Sequence, residues 1–377
     1  MKIKVAGIGL TKFGELWDKT LFDLAQEASL EAINDSPYTI NQIEAVFVAN
    51  MIYGKLSNQD HLGAAVASDL GIKGASFRIE GACASGGLSV HLAVQSLLAG
   101  TYKNVLVVGV EKMTDASISE VTSALMGAGS EEERKAGLTF PGLYALMAKA
   151  HMAKFGTTRE HLASVSVKNH YHASLNKKAQ FPFEVTAEKV LNSPCICTPF
   201  TLFDASPITD GAAAVVLTSD STEPGVFITG SAVATDTVDL ASRKSLTEIK
   251  ATQEAAKKAL AQAGAEISDI KVAEVHDCFT IAEILAMEDL GFCAKGEGGK
   301  YIDSGITKLG GKIPVNTSGG LKACGHPVGA TGVKQITEIT QQLRKQSGPR
   351  QVDGANIGLT QNVGGTGATV VVHVLQT

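Results

Sequence analysis

The sequence predicts an α/β fold in which two similar halves each carry a largely parallel or mixed sheet. Short apolar segments of strand length alternate with longer segments that repeat apolar residues at every third or fourth position. This alternation is typical of layered α/β proteins. The predicted strands cover residues 3–8, 45–49, 105–110, 212–217, 226–228, 272–275, 355–359 and 370–374. Helices are predicted at residues 21–32 and 247–263.

An internal duplication is the second observation behind this fold class. In each half a helix is followed by a similar segment, INQIEAVFV at residues 40–48 and ISDIKVAEV at residues 267–275. Residues 221–225, STEPG, have the composition of a linker between the halves. The long segment 113–205 has no counterpart of its size in the second half. We therefore expect a first half at residues 1–112 and 206–222, an inserted loop domain at 113–205, and a second half at 223–377.

Length, composition and charge exclude several classes of protein. The chain has 377 residues, 44% hydrophobic and 19% charged, which excludes a disordered or coiled-coil protein. Its net charge of −5 offers no basic excess for nucleic-acid phosphates. No apolar run reaches the ~18 residues that a membrane span needs. The six cysteines lack CxxC spacing, so we expect free thiols in a reducing cytoplasm and no metal site.

Cys83 is the first candidate for chemistry. It lies in the stretch GACASGG, after a strand-like segment at residues 76–79 and before an apolar helix. The start of a helix offers free backbone N–H groups and the positive end of the helix dipole, so we expect a lowered thiol pKa and a nucleophile. The alternative is a buried structural cysteine.

Two histidines are the next candidates. His276 and Cys278 follow an apolar strand in the stretch VHDCF, at the end of the strand where α/β folds place ligand groups. His326 stands between Gly325 and Pro327, just before a predicted helix, which suits a general base or a hydrogen-bond donor. A loop histidine and a packed cysteine, or a solvent-exposed turn histidine, are the structural alternatives.

A glycine turn between two predicted strands is the fourth candidate. The stretch QNVGGTG covers residues 361–367, and its backbone N–H groups could bind an oxyanion. A plain hairpin is the alternative. All four stretches lie near strand ends in a duplicated fold, which would bring them together at the centre.

These motifs together resemble the thiolase superfamily over essentially the whole chain. The resemblance is carried by Cys83 in GACASGG, by His326 in GHPVGATG with NTSGG before it, and by the terminal GGTG. HDCF at residues 276–279 matches the fingerprint of the sterol-carrier-protein thiolase type, where most other thiolases have NEAF. Residues 140–144 and 204–211 resemble the archaeal-type acetoacetyl-CoA thiolases.

The resemblance implies a fold and an activity. The fold would be two βαβαβαββ halves in five αβαβα layers, with an inserted loop domain. The activity would be that of an acetyl-CoA C-acetyltransferase, which condenses two acetyl-CoA molecules to acetoacetyl-CoA and CoA by a reversible ping-pong reaction. CoA thioesters would be substrates, and no further cofactor is implied.

The resemblance also implies residue roles. Cys83 would carry the acyl group, His326 would accept its proton, and His276 and His326 would donate to the enolate oxygen. The backbone N–H groups of Cys83 and Val363, with Gly364 as the near alternative, would form the oxyanion hole of the acyl-enzyme. Many thiolases have a second catalytic cysteine just ahead of the glycine turn, where this chain has Gln361.

Because Gln361 stands at the position of that second catalytic cysteine, another residue must act as the acid/base. Cys278 is the expected acid/base, and Cys324, two residues from His326, is the competing candidate.

Other activities and partners stay open at this stage. The alternatives are a β-ketoacyl synthase that uses Cys83, His276 and His326, and a non-catalytic subunit that binds acyl-CoA or acts as a scaffold. A 3-hydroxy-3-methylglutaryl-CoA synthase would need a general-base glutamate motif, which we do not find. The family resemblance implies a homodimer or a dimer of dimers. It also suggests a complex with 3-hydroxy-3-methylglutaryl-CoA synthase, bridged by a small OB-fold zinc-ribbon protein. The product of such a complex would enter the mevalonate pathway.

Overall fold

The computed structural model describes residues 2–377, and its strands lie close to the predicted ones. The strands are β1 (Ile3–Leu10), β2 (Ala45–Ala49), β3 (Ala75–Ile79), β4 (Asn104–Glu111), β5 (Cys195–Cys197), β6 (Phe200–Thr201), β7 (Gly211–Thr218), β8 (Val226–Thr235), β9 (Val272–Glu274), β10 (Ile357–Gly364) and β11 (Thr369–Gln376). β8 and β10 extend beyond their predicted ends because each pairs along its length with β11. Pairing partners far along the chain are not visible in a local pattern.

The helices alternate with the strands in both halves. They are α1 (Leu21–Asn34), α2 (Tyr53–Ser57), α3 (Leu62–Asp69), α4 (Ser85–Leu98), α5 (Ile118–Leu125), α6 (Glu131–Lys135), α7 (Phe140–Phe155), α8 (Arg159–Ser174), α9 (Ala187–Leu191), α10 (Lys250–Ala263), α11 (Thr280–Asp289), α12 (Gly298–Asp303), α13 (Gly320–Cys324) and α14 (Thr331–Leu343). α10 begins three residues later than predicted, because Ile249 has an extended backbone and its N–H donates to the Asp289 carboxylate. Among the described residues, no helix is both long enough and apolar enough to span a membrane.

The main sheet shows the duplication directly. Its strand order is β3-β2-β4-β7-β1-β8-β11-β10-β9, and β1 pairs with β8 antiparallel at the junction of the two halves. Outward from that junction, each half has two antiparallel pairings and then parallel ones. The last strand of the second half is reduced to a single parallel bridge between Ala273 and Val315. The order of pairings is therefore the same in both halves.

Two central helices lie between the half-sheets. α4 and α14 contact each other, and each contacts strands of both halves. α1 and α3 cover the outer side of the first half-sheet, and α10 covers the outer side of the second. The layers are therefore αβαβα, and the predicted thiolase fold is confirmed.

The segment between β4 and β7 folds mainly into helices. It contains α5 to α9 and the small hairpin of β5 and β6. α7 and α8 contact α11, and α8 also contacts α12 and α13, all in the second half. A segment that belongs to the first half in sequence thus covers the second half in space. The exact division of the chain at residues 112, 205 and 222 stays a prediction.

Candidate active site

Cys83 lies at a sharp turn that leads into the central helix α4. Ala82 before it has a left-handed backbone with φ of 53°, which is uncommon for a residue with a side chain. The helix itself begins at Ser85, with Ala84 as its N-cap. Cys83 is thus placed just outside the helix, with a side chain that is 9% exposed.

The expectation of a lowered pKa for Cys83 is wrong. Burial raises the pKa of the thiol to about 12, and the Glu111 carboxylate adds to the rise. A hydrogen bond from the Gly365 backbone opposes it but is the smaller effect. Desolvation outweighs the helix start because the sulfur has left water almost completely. The resting thiol is therefore neutral and needs a base to become a nucleophile.

His276 is a neutral ring with a defined proton position. Its Nδ1 lies 3.2 Å from Nδ2 of Asn362, which also donates to the Cys83 carbonyl at 3.0 Å. The Asn362 Oδ1 accepts from the Gly87 N–H at 3.0 Å, so the amide orientation is fixed. Nδ1 of His276 is therefore an acceptor and Nε2 carries the hydrogen. This Nε2–H is buried and has no partner among the described residues.

His326 has the opposite arrangement. Its Nδ1 lies 2.7 Å from the hydroxyl oxygen of Thr331, and that hydroxyl donates to the Pro327 carbonyl at 3.1 Å. Nδ1 therefore donates to Thr331, and Nε2 keeps a free lone pair. Burial lowers the pKa of His326 to about 3, and the nearby Lys334 ammonium contributes to the drop. His326 is thus a neutral base with its lone pair available.

The structure brings these side chains together from both halves. The Cys83 sulfur and one ring nitrogen from each histidine lie within 4.8 Å of one another. The two rings meet edge to face, with centroids 5.1 Å apart and an interplanar angle of 83°. The prediction that no metal binds here stays a prediction.

A cavity of about 340 Å³ opens onto this group. Cys83, Cys278 and His326 contribute to its wall, whereas His276 is not one of the wall residues. The other lining residues are mostly apolar: Met113, Ile118, Thr122, Leu125, Met126, Thr139, Phe140, Pro141, Tyr144, Ile196, Ala205, Ser206, Pro207, Ile208, Phe279, Val328 and Gly365. Such a mostly apolar wall suits a small, largely apolar part of a ligand.

The two competing thiols have different surroundings. Cys278 lines the cavity, and burial raises its pKa above the usual range of a thiol, partly opposed by a hydrogen bond with Tyr144. Cys324 is fully buried and is not part of the cavity wall; its sulfur lies 3.7 Å from Nδ2 of Asn176. Of these two thiols, only that of Cys278 lines the cavity.

The glycine turn reaches Cys83 one residue beyond the predicted positions. β10 ends at Gly364, and Gly365, the next residue, lines the same cavity as Cys83. The assignment of Val363 and Gly364 to an oxyanion hole stays a prediction. Sequence reasoning missed Gly365 because consecutive glycines do not reveal where the strand ends.

The sequence did not identify two further polar side chains of the site, Asn362 and Glu111, as functional residues. Asn362 lies within the glycine-turn stretch, but the pattern assigns it no role. Glu111, at the end of β4, accepts N–H hydrogen bonds from Met51, Ile52 and Gly329. Burial raises the pKa of Glu111 to about 7. Its carboxylate ties the loop after β2 to the loop that carries His326.

Gln361 has a supporting contact with the site. Its side-chain oxygen accepts the His276 N–H at 3.1 Å, and its amide donates to Thr252 at 3.0 Å. A glutamine here holds the histidine backbone, where many thiolases have a cysteine.

Family models and known proteins agree with this architecture. The model described as "Thiolase, N-terminal domain" matches residues 3–194, and "Thiolase C-terminal domain-like" matches residues 232–377. The chain belongs to the thiolase family.

Two curated relatives support the assignment of this thiolase. It is 47% identical to an acetyl-CoA acetyltransferase of Methanothermobacter thermautotrophicus, over 99% of this chain and 98% of the relative. It is 32% identical to sterol carrier protein 2 of Bos taurus, over 98% of this chain and 71% of the relative. Both groups named by the resemblance are thus among its relatives.

Solved structures share the fold. The structure titled "Ltp2-ChsH2(DUF35) aldolase" has a TM-score of 0.87 and 25% identity, and covers 100% of this chain and 98% of that chain. The acetyl-CoA acetyltransferase from Syntrophomonas wolfei has a TM-score of 0.78 and 20% identity, with the same coverage.

Proposed function

We propose that this thiolase is an acetyl-CoA C-acetyltransferase that condenses two acetyl-CoA molecules to acetoacetyl-CoA and CoA, reversibly, through acetyl-Cys83. Two observations together carry the proposal: Cys83, Cys278 and His326 line one cavity, and ligand atoms of Cys83, His276 and His326 lie within 4.8 Å of one another. The full-length similarity to a curated acetyl-CoA acetyltransferase supports the substrate.

The first half-reaction acetylates Cys83. The thiol proton passes to Nε2 of His326 while the sulfur attacks the thioester carbonyl carbon. The carbon–sulfur bond to CoA then breaks, and the CoA thiolate takes the proton from His326 and leaves as CoA. The backbone N–H groups of Cys83 and Val363, with Gly364 as the near alternative, would hold the acyl oxygen. Gly365, which lines the same cavity as Cys83, offers a further N–H.

The second half-reaction forms the carbon–carbon bond. Cys278 gives its proton to His326, and the resulting thiolate removes a methyl proton from the second acetyl-CoA. The enolate oxygen receives hydrogen bonds from Nε2–H of His276 and from His326 in its protonated state. Each such donor typically contributes about 3–4 kcal/mol to the transition state. The enolate carbon attacks the acetyl group, Cys83 leaves, and it recovers the proton from His326.

The low pKa of His326 fits this sequence of steps. With a pKa of about 3, the ring is protonated only while a thiolate or an enolate lies beside it. The imidazolium therefore forms when it is needed and returns its proton when the negative charge disappears.

The β-ketoacyl synthase alternative is less well supported. Such an enzyme decarboxylates a malonyl group and needs no second thiol at the reacting carbon. Cys278 in the cavity wall supplies that thiol here.

Mass spectrometry after exposure to acetyl-CoA tests the proposal. We expect an acetyl group on Cys83 and thiolysis of acetoacetyl-CoA by free CoA, without release of carbon dioxide from malonyl-CoA. Cys83→Ala should stay folded and lose both the label and the activity, because no other group forms the covalent intermediate. Persistent labelling of another cysteine, or decarboxylation of malonyl-CoA at a comparable rate, would contradict the assignment.

We also propose a homodimer or dimer of dimers that works in the cytoplasm. β3 is the outermost strand of the first half-sheet, and its outer edge pairs with no strand within residues 2–377. Phe77 on β3 is 40% exposed, which supports burial against a second copy. All six cysteines are free thiols, which supports a reducing compartment.

A protein partner is part of the same proposal. The similar structure titled "Ltp2-ChsH2(DUF35) aldolase" names a second component beside a chain of this fold. This supports a protein partner for the present chain. We propose that the partner is a small OB-fold zinc-ribbon protein, which would link the chain to 3-hydroxy-3-methylglutaryl-CoA synthase. Acetoacetyl-CoA would then pass to the mevalonate pathway.

A further inference from the structure

The Arg243 side chain is bound to the glycine turn and not to a carboxylate. Its Nη1 donates to the Thr366 carbonyl at 2.6 Å. Its Nη2 donates to the Thr366 hydroxyl and to the Thr237 carbonyl, each at 3.1 Å. Arg243 forms no ion pair within residues 2–377, whereas Arg344 and Arg350 each pair with an acidic side chain. Its positive charge therefore acts at short range on backbone carbonyl groups.

The glycine turn extends this interaction to a second peptide group. The Thr366 carbonyl and the Gly367 N–H belong to one planar peptide unit, and the Gly367 N–H donates to the Gly364 carbonyl at 3.1 Å. The Gly364 carbonyl in turn shares a peptide unit with the Gly365 N–H. Two hydrogen-bonded peptide units thus lead from the guanidinium to Gly365.

Gly365 is the end of this chain that meets the cavity. It lines the cavity together with Cys83, and a Cβ added to it would meet no atom of a non-neighbouring residue closer than 3.7 Å. No oxygen atom within residues 2–377 accepts the Gly365 N–H. Its carbonyl, by contrast, accepts the Tyr144 hydroxyl at 2.9 Å. The turn is therefore fixed through its carbonyl groups, and the Gly365 N–H is free for a ligand.

Hydrogen bonds in series strengthen one another. A donor at the carbonyl of a peptide unit polarises the unit and makes its N–H a better donor, by about 10–30% per bond. A charged donor such as the Arg243 guanidinium gives a stronger hydrogen bond than a neutral one. Arg243 thus both holds the turn in one conformation and increases the partial positive charge at its free N–H.

We propose that Arg243 is a positioning residue for the oxyanion hole of the acyl-enzyme, which holds the glycine turn and polarises the two peptide units that end at the Gly365 N–H, the donor to the acyl oxygen on Cys83. This inference rests on the proposed function. The acyl oxygen becomes negative in the tetrahedral intermediates of both half-reactions, so Arg243 contributes to both. The enolate oxygen has other donors, on His276 and His326.

The first test measures Cys83 acetylation and the acyl carbonyl in Arg243→Gln. Acetylation should slow about 10–100-fold, less than the 10²–10³-fold that complete loss of an oxyanion donor costs. The carbonyl stretch of acetyl-Cys83, formed from acetyl-CoA labelled with ¹³C at its carbonyl, should move to higher wavenumber in difference infrared spectra. A weaker hydrogen bond leaves the carbonyl with more double-bond character, and a merely structural role would not produce this signature.

A second readout excludes the acyl oxygen. Because Cys83→Ala lacks the acetylated thiol, exchange of the acetyl methyl protons of acetyl-CoA with D₂O reports on enolate formation alone. Arg243→Gln in the Cys83→Ala background should change this exchange by less than about threefold. A further loss of about tenfold or more would mean general damage to the site and would overturn the inference.

Two variants control for loss of an arginine. Arg344 also donates to two backbone carbonyls, those of Val5 and Ala6 at 3.0 and 3.2 Å, but is not part of the cavity wall. Arg344→Gln should therefore change neither the acetylation rate nor the carbonyl stretch. Arg243→Lys keeps the positive charge and should retain more of the acetylation rate than Arg243→Gln. A lysine variant no faster than the glutamine variant would contradict the role of the charge and overturn the inference.

Binding of the CoA phosphates is the competing role for this arginine. Arg243 also lines a second cavity of about 190 Å³, together with Lys244 and Lys250. Phosphate binding predicts that Arg243→Gln raises KM for acetyl-CoA and leaves the saturated acetylation rate and the carbonyl stretch unchanged. That result would overturn the inference. Failure of the wild type to acetylate Cys83 would instead refute the proposed function.

Discussion

His276 and His326 are both neutral and buried, but their hydrogen-bond partners at Nδ1 differ. As a result, Nε2 of His276 carries a hydrogen, whereas Nε2 of His326 carries a free lone pair. The Asn362 amide can only donate to Nδ1 of His276 because its oxygen accepts from Gly87. The Thr331 hydroxyl accepts from Nδ1 of His326 because it donates to the Pro327 carbonyl. One histidine is thus prepared as a donor and the other as a base.

Replacement of Asn362 by aspartate should reverse the proton position on His276. A carboxylate cannot donate to Nδ1, so the ring hydrogen moves to Nδ1 and Nε2 loses its donor. We expect Asn362→Asp to lower the rate of condensation about 10²–10³-fold, measured as formation of acetoacetyl-CoA. Asn104→Asp, at a site remote from the cavity, is the matched control, and an Asn362→Asp enzyme with normal condensation would contradict the tautomer assignment.

The two candidate thiols make distinct predictions. Cys278→Ala should still form acetyl-Cys83, because that step needs only Cys83 and His326. It should lose condensation and methyl-proton exchange by about 10²–10⁴-fold, the usual contribution of a positioned acid/base. Cys324→Ala should leave both half-reactions nearly intact, since its sulfur does not reach the cavity. Normal exchange in Cys278→Ala with lost exchange in Cys324→Ala would reverse the assignment.

At the scale of elements, the close contact of α4 and α14 positions the site. Cys83 precedes α4 and His326 precedes α14, so the separation of the helices sets the separation of nucleophile and base. The contact relies on glycine, because a Cβ on Gly332 would lie 2.1 Å from the Gly87 nitrogen and 2.3 Å from the Asn362 oxygen.

Gly332→Ala should therefore damage both stability and activity. Overpacking of this kind typically costs about 1–3 kcal/mol, and here it also disturbs the amide that orients His276. We expect a melting temperature lower by several degrees and a reduced rate of condensation, measured by calorimetry and by product formation. Gly14→Ala is the matched control because a methyl group there would meet no atom of a non-neighbouring residue within 4 Å. Equal stability of the two variants would argue against the close helix contact.

At the scale of the whole molecule, buried ionisable groups link stability to pH. Burial lowers the pKa of His170 to about 4 and those of His172, His326 and His373 to about 3. Each folded-state pKa lies below the unfolded value of about 6.5, so the unfolded chain binds protons first as the pH falls. Their contribution to stability is complete above pH ~6.5 and is lost progressively towards pH ~3.

Three buried acids oppose this trend but are outnumbered. The pKa of Glu111 is raised to about 7 and that of Asp277 to about 6, and burial also raises the pKa of Asp289, so the folded state binds their protons first. We expect the melting temperature to fall by roughly 5–10 °C between pH 7 and pH 5. His373→Gln should reduce this slope, and a melting temperature that stays constant or rises towards pH 5 would contradict the prediction.

The sequence by itself determined the layered α/β class, the duplication and the four motifs that meet at the site. These features are local: alternation of strands and helices, glycines at turns, and chemistry-bearing residues at the ends of apolar strands. The family resemblance, and not the spacing, implied the roles of individual residues. From spacing alone, Cys83 could equally be a buried structural cysteine, and His276 and His326 could be loop or turn histidines without a catalytic role.

Only the tertiary structure decided the electrostatics and the proton positions. The helix start suggested a low pKa for Cys83, but burial raises it, and the depth of burial depends on every layer of the fold. Tyr144 and Asn362 reach the site from segments far apart in the chain, and no periodicity marks them. Gly365, and not Val363 or Gly364, lines the cavity beside Cys83, because the register of β10 with β11 fixes where the turn begins. Hydrogen bonds and desolvation depend on the distances between such segments, which a linear pattern does not contain.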